Sequence, residues 1–154
     1  MRMILRESSY RPVEGGCEVA ASPDTPGRET WTWQVRLLGA EGPVGEAALA
    51  LPAARGGVQR RMEIRTDERV SAVVGTAIIG DEQSVRRHHD ELLLVVVGSG
   101  AVRVDGRHVL LAGDALVSEG DDPAPTLERK GDESALVAEV RLRCSSGAAL
   151  NWVP

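Results

Sequence analysis

One run of seven residues constrains the fold of this chain more than any other feature. Residues 91–97, with the sequence ELLLVVV, are almost all leucine or valine, and Gly98-Ser99-Gly100 follows them. The run is too short for a buried helix and predicts a buried β-strand that ends in a tight turn. Next come short apolar segments at 101–104, 107–111 and 115–118, the first two joined by the hairpin signal Asp105-Gly106. This region therefore predicts an antiparallel meander.

Similar patterns extend on both sides of the meander. Segments of alternating or β-branched residues lie at 29–38, 60–66, 69–79 and 133–143. Only two residues separate the second segment from the third, so these two predict a hairpin. The one helix-like stretch, residues 46–55, is interrupted by Pro52. With 17 Gly and 8 Pro in the chain, the sequence predicts an all-β, antiparallel sandwich, jelly roll or barrel with little or no helix.

Length and charge narrow the class of protein. The chain has 154 residues, the usual size of one domain, so we expect residues 1–154 to form a single domain. Its net charge of -5 argues against nucleic acid or an anionic membrane as a partner. No apolar stretch has the length of a signal peptide or a membrane span. We expect a cytoplasmic protein in which Cys17 and Cys144 are reduced, with a disulfide between them as the alternative.

The centre of the chain resembles the cupin superfamily. The first cupin motif contains His-x-His, then Glu, and ends in a Gly seven positions after that Glu. Glu91 and Gly98 fit this final spacing, while Arg86 and His88 occupy the two positions of the His-x-His pair. The family's first metal-binding histidine is thus replaced by arginine.

The second cupin motif is matched only at its start. Gly113 and the Asp after it fit, but Glu119 and Ala124 stand where the family has Pro and His. The resemblance implies a double-stranded β-helix, or jelly-roll barrel, whose most typical part is 80–143, with N-terminal strands within 1–40 packing on the barrel. It implies the fold without the family's metal ligands.

The N-terminal third is similar to a second family, HutD/Ves. The residues that carry this similarity lie at 4–12, 15–16, 18–23, 31–36 and 41–43. Proteins of that family are cupin-like β-barrels associated with histidine utilisation, and their biochemical activity is not well defined. An intact barrel pattern beside an incomplete set of metal ligands indicates a binding or sensing protein of HutD-like type.

Histidines and one glutamate form the only candidate metal cluster in the sequence. His88, His89 and Glu91 are close together, and His108 lies on a returning strand. Adjacent residues of a strand point to opposite faces, so His88 and His89 cannot both enter a barrel from one strand. We therefore expect no metal and no cofactor. Residues 86–90 are then a solvated turn, and the alternative is a metal site formed by His88 or His89 with Glu91 and His108.

Four residues are our candidates for ligand binding: Arg86, His88, Glu91 and Trp33. Burial at the mouth of an apolar barrel would raise the pKa of Glu91 unless Arg86 or Arg87 pairs with it, and such a pair suits a small anion. The alternative for Glu91 is a salt bridge at the rim. Trp33 either lines the ligand cavity or fills the core.

These residues leave three classes of function open. The leading hypothesis is a metal-independent protein that binds or senses a small polar or anionic metabolite. The second is a cupin enzyme, an oxygenase or isomerase that uses His88 and Glu91. The third is a structural partner of another protein, which a barrel filled by Leu93, Val95 and Val97 would favour. We expect a homodimer, because β-sheets of this kind leave edges that a second subunit can cover.

Overall fold

The computed structural model describes residues 2–22, 33–40, 47–51, 59–150 and 152. These residues form fourteen β-strands and one short 3-10 turn, Glu7–Ser9. The strands are β1 (Met3–Leu5), β2 (Arg11–Val13), β3 (Gly16–Ala21), β4 (Trp33–Gly39), β5 (Ala47–Leu51), β6 (Arg60–Thr66), β7 (Val70–Ile79), β8 (Gln83–Ser84), β9 (Glu91–Ser99), β10 (Ala101–Val104), β11 (His108–Leu111), β12 (Ala115–Ser118), β13 (Thr126–Arg129) and β14 (Ala135–Cys144). In this part of the chain no helix is long and apolar enough to cross a membrane.

The strands form three antiparallel sheets. The central sheet has the order β1-β12-β9-β14-β7, the hairpin sheet has the order β11-β10-β13-β8, and the N-terminal sheet has the order β2-β3-β4-β6-β5. The central and hairpin sheets form a cupin-like jelly roll, and the N-terminal sheet packs on the outer face of the central sheet. The predicted all-β, antiparallel fold with almost no helix is confirmed.

Strand β9 lies in the middle of the central sheet and is buried on both faces. Leu92 and Leu94 pack in the core shared with the N-terminal sheet, whereas Leu93 and Val95 pack in the core shared with the hairpin sheet. All four are at most 1% exposed. Because successive side chains of a strand point to opposite faces, an uninterrupted apolar run is what a strand between two cores requires.

Among the described residues, Trp33 is the one aromatic side chain that is buried in the two cores. The larger buried side chains of the first core are Trp33, Leu37, Leu51, Met62, Ile64, Leu92, Leu94 and Leu142. Those of the second are Ile79, Leu93, Leu110, Leu116 and Leu127. Both cysteines are free: Cys17 lies on β3 and Cys144 at the end of β14.

Three local predictions need correction. The four strands within 91–118 do not form one meander, because β12 pairs with β9 in the central sheet while β10 and β11 pair in the hairpin sheet. The segments at 60–66 and 69–79 form strands, but they do not form a hairpin. Strand β6 pairs with β4 and β5, whereas β7 pairs with β14, so the turn between them crosses from one sheet to another. The hairpin at Asp105-Gly106 exists, but Val104 pairs with His108, which places Arg107 in the turn. Both turn residues have positive φ, 50° at Asp105 and 66° at Gly106.

Candidate functional site

Glu91, the first residue of β9, is at the centre of a closed ion-pair network. Its Oε1 accepts a hydrogen bond from Arg143 Nε at 3.0 Å and lies 2.9 Å from Arg143 Nη2 in the same ion pair. Its Oε2 accepts from Arg141 Nη1 at 3.2 Å and from the backbone N–H of His88 at 2.9 Å. Arg141 also contacts Glu139, with Nη2 3.0 Å from Oε2. Both carboxylate oxygens are therefore already occupied by protein donors.

Strand register explains why these side chains meet. Arg143 is the direct neighbour of Glu91 in the pairing of β14 with β9. Glu139, Arg141 and Arg143 are spaced by two, so they share one face of β14. On that face the aliphatic residues nearer the start of the strand, such as Val137, belong to the core with the hairpin sheet. The network thus forms the polar end of the barrel-facing surface.

The surroundings of Glu91 keep its carboxylate charged. Burial to 6% exposure would raise its pKa. The His88 backbone N–H and the guanidinium groups of Arg143 and Arg141 outweigh burial and hold the pKa of Glu91 below its usual range. A carboxylate held in this state serves as an anchor for two arginines.

The arginines that pair with Glu91 are not the ones the sequence suggested. Arg86 is exposed, and only its carbonyl oxygen joins the network, as an acceptor from Arg141 at 2.6 Å. Arg87 instead donates to the carbonyl oxygens of Glu91, Gly120 and Asp122 at 2.9, 2.6 and 2.8 Å. It therefore joins two loops at the end of the barrel. The partners of Glu91 come from β14, about fifty residues along the chain.

The histidines do not converge with Glu91. The side chains of His88 and His89 are exposed in the segment before β9, and His108 is exposed at the start of β11 in the other sheet of the barrel. Within the described residues, no three His, Cys, Asp or Glu side chains are grouped so that they could hold a metal ion. The ligand set considered for the enzymatic alternative is therefore not assembled.

Trp33 is not part of the Glu91 network. It is 1% exposed on β4 and packs in the core between the N-terminal and central sheets. Glu91 lies on the same face of β9 as Leu93 and Val95, which pack in the other core. The four candidate residues consequently do not line one pocket, and Trp33 is a core residue. Trp31 lies outside the described residues.

The middle of the barrel is filled by aliphatic side chains. Leu93, Val95 and Val97, at most 1% exposed, pack there with side chains of the hairpin sheet. Their packing against one another is the arrangement that favours a structural role. Space remains at one margin of the barrel.

A cleft of about 550 Å³ opens at that margin, between β1 and the β10–β11 hairpin. Strand β1 is the edge of the central sheet, and β11 is the edge of the hairpin sheet. The residues that line the cleft are Arg2, Met3, Ile4, Val104, Asp105, Arg107, His108 and Leu116. Its volume lies within the range typical of small-molecule sites.

One ion pair spans the cleft and fixes its rim. Arg2 pairs with the carboxylate of Asp105 and also donates to the carbonyl oxygen of Pro123. Asp105 is itself held in place, because its Oδ1 accepts from the backbone N–H of Thr126 at 3.0 Å. Arg2 Nε is buried and has no hydrogen-bond partner among the described residues.

The rest of the rim is cationic and open. Arg107 and His108 are exposed, and neither forms an ion pair with another described residue. Two arginines and one aspartate line the cleft, so its charge is positive even when His108 is neutral. Sequence reasoning considered His108 only as a metal ligand and did not find this cleft. Arg2 and Asp105 are 103 positions apart, and no local pattern links them.

Comparisons with known proteins support the fold. No protein-family model matches the chain, and no curated protein matches it. One similar solved structure is PA5104 from Pseudomonas aeruginosa PAO1, a conserved protein of unknown function. The TM-score is 0.69 and the identity 18%, over 94% of this chain and 99% of that one. Another is HutD from Pseudomonas fluorescens SBW25, with a TM-score of 0.59 and 17% identity, over 93% of this chain and all of that one (100%). The chain therefore has a HutD-like fold, as the N-terminal resemblance implied.

Proposed function

We propose that this protein is a metal-independent binding or sensing protein of HutD-like type, and that it holds a small anionic metabolite in the cleft between β1 and the β10–β11 hairpin. The observation that carries the proposal is the composition of the cleft, in which an apolar floor meets a cationic rim within about 550 Å³. A pocket that is mostly apolar with a few convergent polar groups is the usual form of a small-molecule site.

The floor of the cleft favours a ligand with an apolar part. Val104 and Leu116 are at most 1% exposed and belong to the barrel core, and Ile4 packs against that core. These side chains form a fixed surface, because they are packed from behind. Met3 and Ile4 also line the cleft and are partly exposed, so a ligand that covers them removes apolar area from water, at about 25 cal/mol per Å².

The rim favours a carboxylate. The planar guanidinium group of Arg107 can bind a carboxylate through two parallel hydrogen bonds, and His108 can add a third donor. Arg2 is already held by Asp105 and contributes positive charge.

If the ligand binds in the cleft, the Glu91 network does not contact it and instead positions the structure around Glu91. Its carboxylate is fully occupied by Arg141, Arg143 and the His88 backbone, so it holds the strand end and the preceding loop in place. Arg86 and His88 are exposed near Glu91, and neither lines the cleft. The ligand contacts therefore move from these residues to Arg107 and His108.

Three probes separate the contributions of charge and apolar area. Benzoate carries both, acetate carries only the carboxylate, and benzyl alcohol carries only the apolar ring. Isothermal titration of the full chain is expected to show the tightest binding for benzoate. L-Histidine is titrated as a fourth probe, because the HutD-like fold suggests histidine metabolism.

A pair of matched variants locates the site. Arg107→Gln is expected to weaken benzoate binding by about tenfold, the loss of one charged hydrogen-bonding group. Arg86→Gln removes an equally exposed arginine outside the cleft and is expected to leave the affinity unchanged. If Arg86→Gln weakens binding and Arg107→Gln does not, the ligand lies near Glu91. If no probe binds, the proposal fails.

A further inference from the structure

Strand β7 is an open edge of the central sheet. On one side it pairs with β14 along its whole length, from Val70 opposite Cys144 to Ile79 opposite Ala135, without a bulge. On its other side, no strand of the described part of the chain pairs with it. Every second residue of this ten-residue strand therefore turns its backbone N–H and C=O outward, in a regular row of unpaired donors and acceptors.

The composition of β7 does not protect this edge. Residues 70–79 contain no charged residue and no proline. The other described edge strands are shorter: β1, β2, β8 and β11 have two to four residues, and β5 has five. Strand β2 also carries Arg11 and Pro12. Monomeric proteins usually keep their edge strands short or protect them with charges, prolines or bulges, because a long uncharged edge pairs with other chains.

Exposed apolar side chains accompany the open backbone. Val73 is 66% exposed and Ile78 is 68% exposed, and together with Leu111 they are the large apolar side chains left exposed among the described residues. Val73 and Ile78 lie on opposite faces of β7, because side chains alternate between the two faces of a strand and these residues are an odd number of positions apart. A strand placed beside β7 would cover part of both.

We infer that β7 is the interface of a homodimer, in which it pairs antiparallel with β7 of a second copy. A two-fold axis perpendicular to the sheet reverses the strand direction and keeps each face on its own side, so the two central sheets join into one of ten strands. The inference is independent of the proposed ligand.

The sequence of β7 suits self-pairing about its middle. If the two-fold axis passes through Gly75, no like charges face each other along the paired strands. The first charged residues beyond the two ends of β7 are Arg69 and Asp81, and this axis places Arg69 of each copy beside Asp81 of the other. Gly75 has nothing within 4 Å of the position that a Cβ would take. Two backbones can therefore approach closely there.

The mass of the full chain in solution tests the inference. Light scattering after size-exclusion chromatography is expected to give about twice 16.4 kDa, with the mass decreasing on dilution. Gly75→Lys and Gly75→Glu each place like charges face to face and are expected to weaken self-association by about tenfold or more. Mixing the two variants should restore a dimer, because the introduced lysine of one copy then faces the introduced glutamate of the other.

A matched substitution and a fold-independent measurement complete the test. Leu111→Lys places a charge at an equally exposed apolar position on a different edge and is expected to keep the dimer. If the Gly75 variants do not fold, Val73→Lys tests the same edge. Hydrogen exchange of the unmodified protein should then show β7 amides more protected at high protein concentration than at low.

Three results would overturn the inference. They are a monomer at all concentrations, a dimer that survives both charged variants, and a mixture of the two variants that stays monomeric. The first would leave the edge for a strand of a different protein.

Discussion

The burial of β9 between two cores leads to a quantitative prediction about neighbouring leucines. Leu93 faces the hairpin sheet and Leu94 faces the N-terminal sheet, and both are 0% exposed. Leu→Ala at a fully buried site costs about 2–5 kcal/mol, because transfer energy is lost and a cavity remains. We expect Leu93→Ala and Leu94→Ala each to lower the free energy of unfolding by about 3 kcal/mol. For a chain of this size that corresponds to a fall of about 6–12 °C in Tm.

The assay is urea unfolding followed by circular dichroism and tryptophan fluorescence. Trp33 packs in the same core as Leu94, so its emission reports on the loss of that core. Leu111→Ala serves as the control, because Leu111 is 58% exposed, and we expect a change within about 0.5 kcal/mol. In a two-layer sandwich one of the two leucines would face solvent. A cost below about 0.5 kcal/mol for either Leu93→Ala or Leu94→Ala would therefore refute the three-layer arrangement.

Three further predictions concern the ion-pair network, a tight turn and metal content. Glu91→Gln is expected to cost about 1–3 kcal/mol in chemical unfolding, less than for a fully buried pair because Arg141 and Arg143 are partly exposed. Folding lowers the pKa of Glu91, so its charged carboxylate stabilises the folded state. This contribution is fully present above the unfolded-state pKa of about 4.3 and is lost as the pH falls through the folded-state pKa. Glu91→Gln should therefore make the free energy of unfolding less dependent on pH in acid, and an unchanged dependence would contradict this. Gly113→Ala is expected to lower the free energy of unfolding by about 1–3 kcal/mol, seen as a lower Tm, because φ is +95° and the new Cβ would meet the Glu7 carboxylate. Gly80→Ala is the control and should leave Tm nearly unchanged, because nothing lies within 4 Å of the new Cβ. Elemental analysis of untagged protein should find metal well below one equivalent, and a stoichiometric metal would revive the enzymatic alternative.

The candidate site could be predicted only in part. A carboxylate at the start of the buried strand, in need of an arginine, follows from the residues around Glu91. The choice of Arg141 and Arg143 over Arg86 does not, because it depends on the register between β9 and β14. The cleft could not be foreseen either, since Arg2 and Asp105 meet only when β1 pairs with β12 at the edge of the central sheet.

Local pattern determined where the strands of this protein lie. The apolar run at 91–97, the alternation that follows and the turn at Asp105-Gly106 depend on side-chain periodicity and backbone preference within a few residues, so the sequence alone predicts them. The tertiary structure decided which strands pair. Residues 60–66 and 69–79 would pair equally well as a hairpin by their pattern, yet β6 and β7 separate into two sheets. The reason is that an alternating pattern specifies which face of a strand is buried but not which strand it pairs with. The pairing is selected only when both cores pack against the central sheet that contains β9.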